Sequence, residues 1–408
     1  MKPIVLKFGG TSVAGSTEIG QVASIVEPYT NSLPVVVVSA AAGVTDALLE
    51  AVEKASLGYA QEAVEIFDAQ IRRYLAIVEE LVASKKQPLL SGQIVNQIES
   101  KALSARSSLL DTKMLLKYPK KMTDEVVSLG DMLSAIVVAE VFKAYGIAAR
   151  SVDARHCIIT NDCFTAAEPI LTETLPATEK RLKPLLLKGL VPVLAGFVGS
   201  TLLGTTTTLG RGGSDYTASL VGEALDAREV QIWTDVSGIK SADPRLVPDA
   251  QTVPLMTYEE AATLARFGAK VLHPKSVAPA HRHSIPLTVR NSFEPEGRFT
   301  TLVKKDKKVG CVKAVSLQKD FQQDSLIAVV GERISENRVV KERLEELLAG
   351  ELFYYLQETG AAFIGLVVKK DRAVTLLRRI EKELCRESNQ ICFSRDFLQG
   401  SSSFKKLA

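Results

Sequence analysis

The chain contains few of the residues that mark several protein classes. It has one tryptophan, four histidines and five cysteines in 408 residues, and its formal net charge is only +3. So small a positive excess does not indicate binding to nucleic acid or another polyanion. No apolar run is long enough to span a bilayer, which argues against a membrane protein. The first apolar run is too short for a secretory signal, so we expect a cytoplasmic location.

Cysteine and histidine do not form metal-binding patterns either. The cysteines are scattered and odd in number, which fits reduced thiols in a chain without a secretory signal. Cys157 and Cys163 are near enough in sequence for a redox pair, and the alternative is that they are buried, inert thiols. His156, His281 and His283 show no metal-ligand spacing. The sequence therefore predicts no metal held by protein side chains alone.

The composition is that of a globular protein with a sizeable core, and the length suits two or three domains. Strand-like runs alternate with helix-like periodic segments over the first two thirds. This order predicts an α/β fold with a mostly parallel sheet sandwiched by helices. The strand-like runs are Ile4–Leu6, Pro34–Val38, Ile147–Val152, Val191–Phe197 and Val230–Thr234. The helix-like segments are Val64–Val82, Gln93–Lys117, Asp131–Tyr145, Asp215–Leu225 and Tyr258–Phe267.

A smaller unit follows a lysine-rich linker near Asn291–Gly310. Its pattern is two strands, a helix, two strands and a helix, which predicts a compact α+β domain. The strands are Val312–Leu317, Leu326–Val330, Leu352–Leu356 and Phe363–Val368, and the helices are Val339–Leu348 and Ala373–Leu384. Residues 386–408 have the composition of a loose tail.

The stretch Lys7–Ser12 carries the clearest chemical pattern of the chain. A cation, two glycines and two hydroxyls stand where the first strand ends, and ligands of open α/β sheets bind at the carboxyl ends of strands. Gly9 and Gly10 let the backbone approach a phosphate, and Lys7 adds a mobile positive charge. This pattern predicts a phosphate site.

A second segment, Thr205–Asp215, is rich in threonine and glycine and precedes a helix. Helix N-termini attract anions because their N–H groups lack partners. Arg211 suits a carboxylate, and Asp215 can orient a lysine. The alternative is that Ser214 or Asp215 only caps the helix. The other residues of the segment exceed what a cap needs, so we favour a ligand site.

Two later segments add polar residues whose roles are more open. Thr234 and Asp235 stand at a strand end and could bind a base or ribose, or form a polar turn. Arg245 lies in a proline-restricted loop beyond them, and Lys270 could reach a phosphate. Trp233 is expected in the core.

Taken together, these motifs resemble aspartokinases of the amino-acid kinase superfamily. The resemblance runs through about residues 1–303, and Lys-Phe-Gly-Gly-Thr-Ser-Val is the aspartokinase form of the opening motif. The segments that carry it are Lys7–Val13, Ser39–Thr45, Thr123–Glu125, Thr206–Asp215, Trp233–Gly238, Asp243–Arg245 and Phe267–Pro274. The resemblance implies transfer of the γ-phosphoryl group of ATP to the side-chain carboxylate of L-aspartate, giving 4-phospho-L-aspartate for the aspartate-derived amino-acid pathway.

The resemblance also implies roles for individual residues. Lys7 and Asp215 would be catalytic, and Mg²⁺ would sit mostly on phosphate oxygens. The expected aspartate ligands are Ser39, Thr45, Glu125, Arg211 and Ser214. The expected nucleotide ligands are Lys7, Gly9, Gly10, Thr234, Asp235, Arg245 and Lys270. Each has a simpler alternative: Ser39 and Thr45 could be turn or cap hydroxyls, and Glu125 a solvated carboxylate at a helix start.

The resemblance implies small ligand-sensing ACT domains in the C-terminal part. Relatives carry two, one inserted in the other, whereas here the first strand is followed almost directly by the next. We therefore expect a catalytic domain over 1–303, one ACT-like domain over 309–385 that forms a homodimer, and weak or absent inhibition by lysine. The alternatives are another kinase of the superfamily and a non-catalytic amino-acid sensor.

Overall fold

The computed structural model describes residues 1–85, 88–117, 119–269, 272–356, 362–386 and 393–394. The chain forms two compact units. The first comprises Met1–Val236 with Ala278–Gly297, and the second comprises Ser237–Val277 with the described part of Arg298–Ala408. This division differs from the predicted limit at residue 303, since 237–277 groups with the C-terminal part. The domain limits stay a prediction. No helix among the described residues is long and apolar enough to cross a membrane.

The strands and helices are numbered here in chain order. The strands are β1 (Ile4–Phe8), β2 (Pro34–Val38), β3 (Ala149–Val152), β4 (Ile159–Thr160), β5 (Val191–Ala195), β6 (Val198–Thr201), β7 (Thr206–Thr208), β8 (Glu229–Thr234), β9 (Leu255–Thr257), β10 (Leu287–Asn291), β11 (Thr300–Val303), β12 (Lys308–Val309), β13 (Ala314–Phe321), β14 (Asp324–Val330), β15 (Phe353–Tyr355), β16 (Phe363–Val368) and β17 (Phe393–Ser394). The α-helices are α1 (Ser16–Val26), α2 (Val44–Ser56), α3 (Ala60–Lys85), α4 (Pro88–Leu110), α5 (Thr112–Lys117), α6 (Pro119–Ala144), α7 (Leu171–Leu187), α8 (Gly213–Ala224), α9 (Tyr258–Arg266), α10 (Pro274–His283), α11 (Arg338–Leu347) and α12 (Lys370–Ile380).

A parallel sheet forms the centre of the first unit. Its strands lie in the order β3-β5-β2-β1-β8-β10, and β1 pairs in parallel with β2 on one side and β8 on the other. Every residue of β1 and β2 is buried, so both faces of the sheet are covered. Continuous apolar strands such as Pro34–Val38 are typical of such doubly covered sheets. The predicted α/β fold with a mainly parallel sheet is confirmed.

Successive residues of β1 point to opposite faces of this sheet. Ile4, Leu6 and Phe8 belong to the core cluster formed with α1, α2, α3 and α6. Val5 and Lys7 therefore point to the other face, where α8 packs on β1. The alternation thus aims Lys7 at the start of α8. β4, β6 and β7 form a small separate sheet, and its strands β6 and β7 lie in the chain between β5 and α8.

The second unit contains an antiparallel sheet in the order β13-β14-β16-β15. Helices α11 and α12 contribute Leu344, Leu376 and Ile380 to one core with this sheet. The expected order of strands and helices is therefore present. β12 pairs with β17, so a short strand lies within the segment expected to be a loose tail.

A buried ion cluster also belongs to the second unit. The Lys313 ammonium lies 3.0 Å from a carboxylate oxygen of Glu260 and 2.6 Å from one of Asp306. Glu260 is fully buried, and it also completes a capping box with Thr257 at the start of α9.

The cysteines depart in one respect from the sequence expectation. Cys157 is buried, and burial raises the pKa of its thiol to about 12, which makes it unreactive. Cys157 and Cys163 are both free thiols, but Cys163 is exposed, so the interpretation as a buried, inert thiol fits only Cys157. Cys311, however, is disulfide-bonded, so the expectation of reduced thiols is wrong for this residue.

Candidate active site

The glycines after β1 bring two turns together at the end of the sheet. The N–H of Gly9 donates to the carbonyl of Trp233 over 3.0 Å, and the N–H of Ala42 donates to the carbonyl of Gly10 over 3.0 Å. A Cβ at Gly10 would lie 2.6 Å from the carbonyl oxygen of Ala40, so only glycine fits there. The Gly9 N–H continues the sheet pairing, and its expected bond to a phosphate does not fit this conformation.

Lys7 forms an ion pair with Asp215, which stands in the first turn of α8. The ammonium nitrogen and carboxylate oxygen are 2.7 Å apart, and the two side chains are only 10% and 16% exposed. The helix begins after Gly212, and no side chain caps it. The alternative that Ser214 or Asp215 serves as its cap is therefore wrong. Asp215 instead places a carboxylate against the lysine of β1.

A cavity of about 570 Å³ opens beside this ion pair. Its walls come from the ends of β1 and β2, the starts of α2 and α8, and one face of α6. Six of the predicted site residues line it, namely Lys7, Ser39, Thr45, Arg211, Ser214 and Asp215. It thus combines two cations, hydroxyl groups and a helix N-terminus, which suits two anionic ligands at once.

The N-terminus of α2 also faces this cavity. Gly43 precedes the helix in a left-handed conformation (φ +80°), without a side-chain cap bond. Thr45 lies in the first turn, so its hydroxyl is not the cap that the simpler interpretation requires. Ser39 follows β2 directly, and its N–H donates to the carbonyl of Phe8 over 3.1 Å. Both hydroxyl side chains therefore line the cavity, and the turn and the helix that carry them do not depend on these hydroxyls for capping.

The acidic segment 123–125 lies in a different local structure from the one predicted. Helix α6 begins at Pro119, so residues 123–125 lie within it rather than before it. Asp124 lines the cavity, whereas Glu125 is half-buried and outside the lining. Asp124 accepts bonds from the Thr208 N–H (3.0 Å), the Thr208 hydroxyl (2.6 Å) and the Thr165 N–H (2.9 Å). The predicted ammonium contact of Glu125 stays a prediction.

Asp131 is a second cavity carboxyl on α6 that the sequence did not single out as a site residue. It is 2% exposed, and its oxygen lies 3.4 Å from the Ser214 hydroxyl. Burial raises the pKa of Asp131 to about 8, although the Ala40 N–H, the Lys7 charge and the Ser214 hydroxyl all act in the opposite direction. At neutral pH this carboxyl is mostly protonated. It therefore adds little negative charge to a cavity suited to anions.

Of the expected nucleotide ligands, Lys7 lines this cavity, whereas Thr234, Asp235 and Arg245 do not. Thr234 ends β8 and Asp235 follows it, and the Thr234 hydroxyl donates to the Asp235 carboxylate over 3.2 Å. Arg245 belongs to the second unit and forms an exposed ion pair with Asp243 at 2.7 Å. Lys270 lies outside the described residues. Their nucleotide roles stay predictions.

Tyr74 is a residue that the sequence placed only on an apolar helix face. Its hydroxyl accepts a bond from the Ala41 N–H (3.1 Å), donates to the carbonyl of Gly130 (2.8 Å) and lies 2.9 Å from the Ser134 hydroxyl. The side chain is 1% exposed. It therefore ties the turn after β2 to α6. Helical periodicity counts tyrosine as an apolar residue. The sequence pattern therefore does not reveal that the phenolic oxygen of this residue forms bonds.

The chain is similar in sequence to known proteins. The model of the amino acid kinase family matches residues 2–291. The chain therefore belongs to the amino acid kinase family. It is 38% identical to the lysine-sensitive aspartokinase 3 of Escherichia coli over 317 residues, which are 78% of this chain and 68% of that protein. It is also 38% identical over 305 residues to the chloroplastic aspartokinase 1 of Arabidopsis thaliana, covering 74% of this chain and 52% of that one.

A solved structure supports the same grouping. The crystal structure of E. coli aspartokinase III in complex with aspartate and ADP has a TM-score of 0.79 and 28% sequence identity to this chain. The match covers 93% of this chain and 99% of the other. The resemblance to aspartokinases that the motifs indicated is confirmed, and the amino-acid kinase fold with it. The matched region spans only about half of the length of the Arabidopsis protein.

Proposed function

We propose that this chain is an aspartate kinase, which transfers the γ-phosphoryl group of ATP to the side-chain carboxylate of L-aspartate. The observation that carries the proposal is the Lys7–Asp215 ion pair beside a cavity that Arg211 also lines. Aspartokinase relatives, and a neighbouring structure that holds aspartate and ADP, support the choice of substrates. The products are 4-phospho-L-aspartate and ADP.

The reaction needs positioning more than covalent help from the protein. A carboxylate is already an anionic nucleophile, so the difficulty lies in holding two anionic substrates in line. Lys7 offsets the charge on the transferring phosphoryl group, and Asp215 holds the lysine in place. Arg211 pairs with a carboxylate of aspartate, while Ser39 and Thr45 donate hydroxyl bonds to it. Glu125 is assigned to the ammonium group of aspartate.

Magnesium fits this site as a companion of ATP. No group of three or more His, Cys, Asp or Glu side chains in the described part of the chain could hold a metal ion. Nucleotide-bound Mg²⁺ needs few protein ligands, since phosphate oxygens and water supply most of its coordination. When bound, it neutralises charge on the phosphates, and the side chains described above orient the two substrates.

The proposal is tested by trapping the acyl phosphate product with hydroxylamine. We expect hydroxamate to form only when ATP, Mg²⁺ and L-aspartate are all present. Release of ADP is measured in parallel with glutamate, N-acetylglutamate and UMP as acceptors. A preference for one of these acceptors would assign another kinase activity of the superfamily. Binding of an amino acid without any ADP release would favour the non-catalytic sensor.

We also propose that the single ACT-like domain over 309–385 pairs two copies of the chain. Its sheet has β13 and β15 at its edges among the described strands, and Tyr354 on β15 is 51% exposed. Exposed sheet edges are natural pairing surfaces. Light scattering of the full chain is expected to give a dimer mass, and a monomer at micromolar concentration would exclude this arrangement.

Lysine regulation follows from the same domain count. The hairpin of β13 and β14 closes directly between Phe321 and Asp324, where an inserted second ACT unit would enter. We propose that inhibition by lysine is weak or absent, unlike in the relative named lysine-sensitive. Activity is measured against increasing lysine at subsaturating aspartate. Strong inhibition at low lysine would contradict the proposal.

A further inference from the structure

Helix α6 presents two buried carboxyls to the cavity from one face. Asp124 is fully buried and Asp131 is 2% exposed, and both line the cavity. They stand seven residues apart, which is close to two helical turns, so they share one side of the helix. Burying two carboxyls beside a site for anionic substrates costs free energy, so their presence there indicates a specific role.

Asp124 holds the first end of the loop that carries Arg211. Its carboxylate accepts three bonds, two from the N–H and hydroxyl of Thr208 and one from the N–H of Thr165. Thr208 is the last residue of β7, directly before the glycine-rich segment. Thr165 has a left-handed backbone (φ +71°), a conformation that a threonine needs outside support to keep. One carboxylate therefore fixes two chain segments at the cavity wall.

Asp131 holds the other end of the same loop. Its oxygen lies 3.4 Å from the hydroxyl of Ser214, in the first turn of α8. The N–H of Ala40, in the turn after β2, also acts on this carboxyl and lowers its pKa. A Cβ at Gly130 would lie 2.9 Å from the Cβ of Ala40, so the glycine lets α6 approach this turn closely. The carboxyl thus joins the turn to α8.

We propose that Asp124 and Asp131 are positioning residues that hold the two ends of the loop between Thr208 and Ser214, and so set Arg211 and Asp215 for phosphoryl transfer. The proposal rests on the aspartate kinase activity proposed above. Neither carboxyl needs to touch a substrate. Both act from one rigid helix, so the distance between the two ends of the loop is fixed before the substrates bind.

Burial raises the pKa of both carboxyls, but the two differ in the groups around them, which gives each a separate signature. The titratable groups around Asp131 are the Lys7 ammonium on β1, the Tyr74 hydroxyl on α3 and the Asp215 carboxylate on α8. With a pKa of about 8, Asp131 loses its proton just above neutral pH and then adds a negative charge beside Asp215. Asp124 has only hydrogen-bond donors around it in the structure, so a carboxylate suits it and an amide does not.

The test compares Asp124→Asn and Asp131→Asn with the natural chain in steady-state kinetics. In Asp124→Asn, an amide N–H₂ group faces a hydrogen-bond donor, so one of the bonds to Thr208 or Thr165 is lost. We therefore expect the KM for aspartate to rise about 10- to 100-fold and the KM for ATP to change less than about threefold. Between pH 7 and 9, kcat/KM for aspartate should fall in the natural chain by about tenfold more than it falls in Asp131→Asn. Comparing the two proteins over the same range cancels titration of the substrates.

Asp226→Asn is the matched control. Asp226 is a surface residue paired with Lys2, and its left-handed backbone (φ +48°) also suits asparagine. This variant should match the natural chain in both KM values and in its pH profile. Circular dichroism and urea unfolding report on folding, and if Asp124→Asn does not fold, the pH profile of Asp131→Asn decides the proposal.

Three outcomes count against the proposal. Equal loss of kcat with unchanged KM for aspartate, matched by an equal loss of folded protein in circular dichroism, would assign the two carboxyls to folding alone. Kinetics like those of Asp226→Asn in both variants would remove their positioning roles while leaving the kinase assignment intact. A natural chain that forms no hydroxamate from ATP and aspartate would overturn the proposed function itself, and the positioning roles with it.

Discussion

Replacing Tyr74 by phenylalanine is expected to destabilise the first unit and loosen the substrate cavity. The hydroxyl is buried and connects α3, the turn after β2, and α6. Burial raises the pKa of Tyr74 to about 12, so the group remains a neutral donor and acceptor at any working pH. Phenylalanine keeps the packed ring and removes only these bonds, so the change tests the hydroxyl by itself.

The magnitude follows from the groups left behind. The Ala41 N–H would lose its partner in a buried place, which costs about 1–3 kcal/mol. The Gly130 carbonyl and the Ser134 hydroxyl also lose a bond, but the carbonyl lies within α6 and keeps a helical donor, so we add only about 1 kcal/mol for them. The expected loss in free energy of unfolding is about 2–4 kcal/mol. The turn also carries Ser39, so the KM for aspartate should rise several-fold.

Urea unfolding followed by circular dichroism measures the loss as a lower midpoint at unchanged slope. Tyr59→Phe is the control, because Tyr59 is 54% exposed, and a change below about 0.5 kcal/mol is expected there. If the Tyr74 variant unfolds with the same midpoint as the Tyr59 variant, the hydroxyl bonds do not hold the turn, and the reasoning about the cavity wall fails.

Four further substitutions have expected outcomes. Lys7→Ala and Asp215→Ala should each remove most turnover while circular dichroism stays native-like, and near-normal turnover in either would defeat the assigned role. The pKa of Asp131 is raised from 3.8 to about 8 in the folded state, so its contribution to stability is present at low pH and is lost as pH rises towards 8. Asp131→Asn should therefore gain stability relative to the natural chain, by up to about 5 kcal/mol, between pH 4 and 8; equal pH dependence in both proteins refutes this. Lys313→Met leaves Glu260 buried without its cation and should cost about 3–5 kcal/mol in thermal or urea unfolding, whereas an unchanged midpoint would show that the buried cluster does not stabilise the second unit.

Much of the candidate site could be predicted because its residues lie where regular elements begin or end. Lys7 follows a short apolar strand, and Asp215 lies two residues after a glycine pair at a helix start, so parallel-strand geometry brings them to one edge of the sheet. The observed contact of 2.7 Å agrees with the expectation that the aspartate orients the lysine. The antiparallel sheet of the second unit and its helices α11 and α12 were equally predictable, because these elements have a clear hydrophobic period.

Other features depend on which residues a helix turns towards the cavity and on which distant segments meet. Short sequence motifs do not contain this information. The sequence motif points to Glu125, whose role stays a prediction, but it does not reveal that α6 begins at Pro119 and that its helical phase places Asp124 in the cavity lining. Thr206–Thr208 form a strand although their sequence resembles a loop, because they pair with β6. The disulfide of Cys311 was missed for the same reason, since scattered spacing does not reveal which cysteines approach one another.

The position of β1 inside the sheet has a consequence for how the protein is made. β1 leaves the ribosome before its neighbour β8 and its ionic partner Asp215, which lie about 200 residues later in the chain. At ordinary rates of synthesis, about 10–40 s pass before the lysine of β1 can meet its carboxylate. During that interval the apolar strand Pro34–Val38 can pair with β1 and, once it is made, with β5, but α8 is not yet available to cover it. We expect a nascent chain stalled before α8 to bind chaperones, and release past β8 to end that binding.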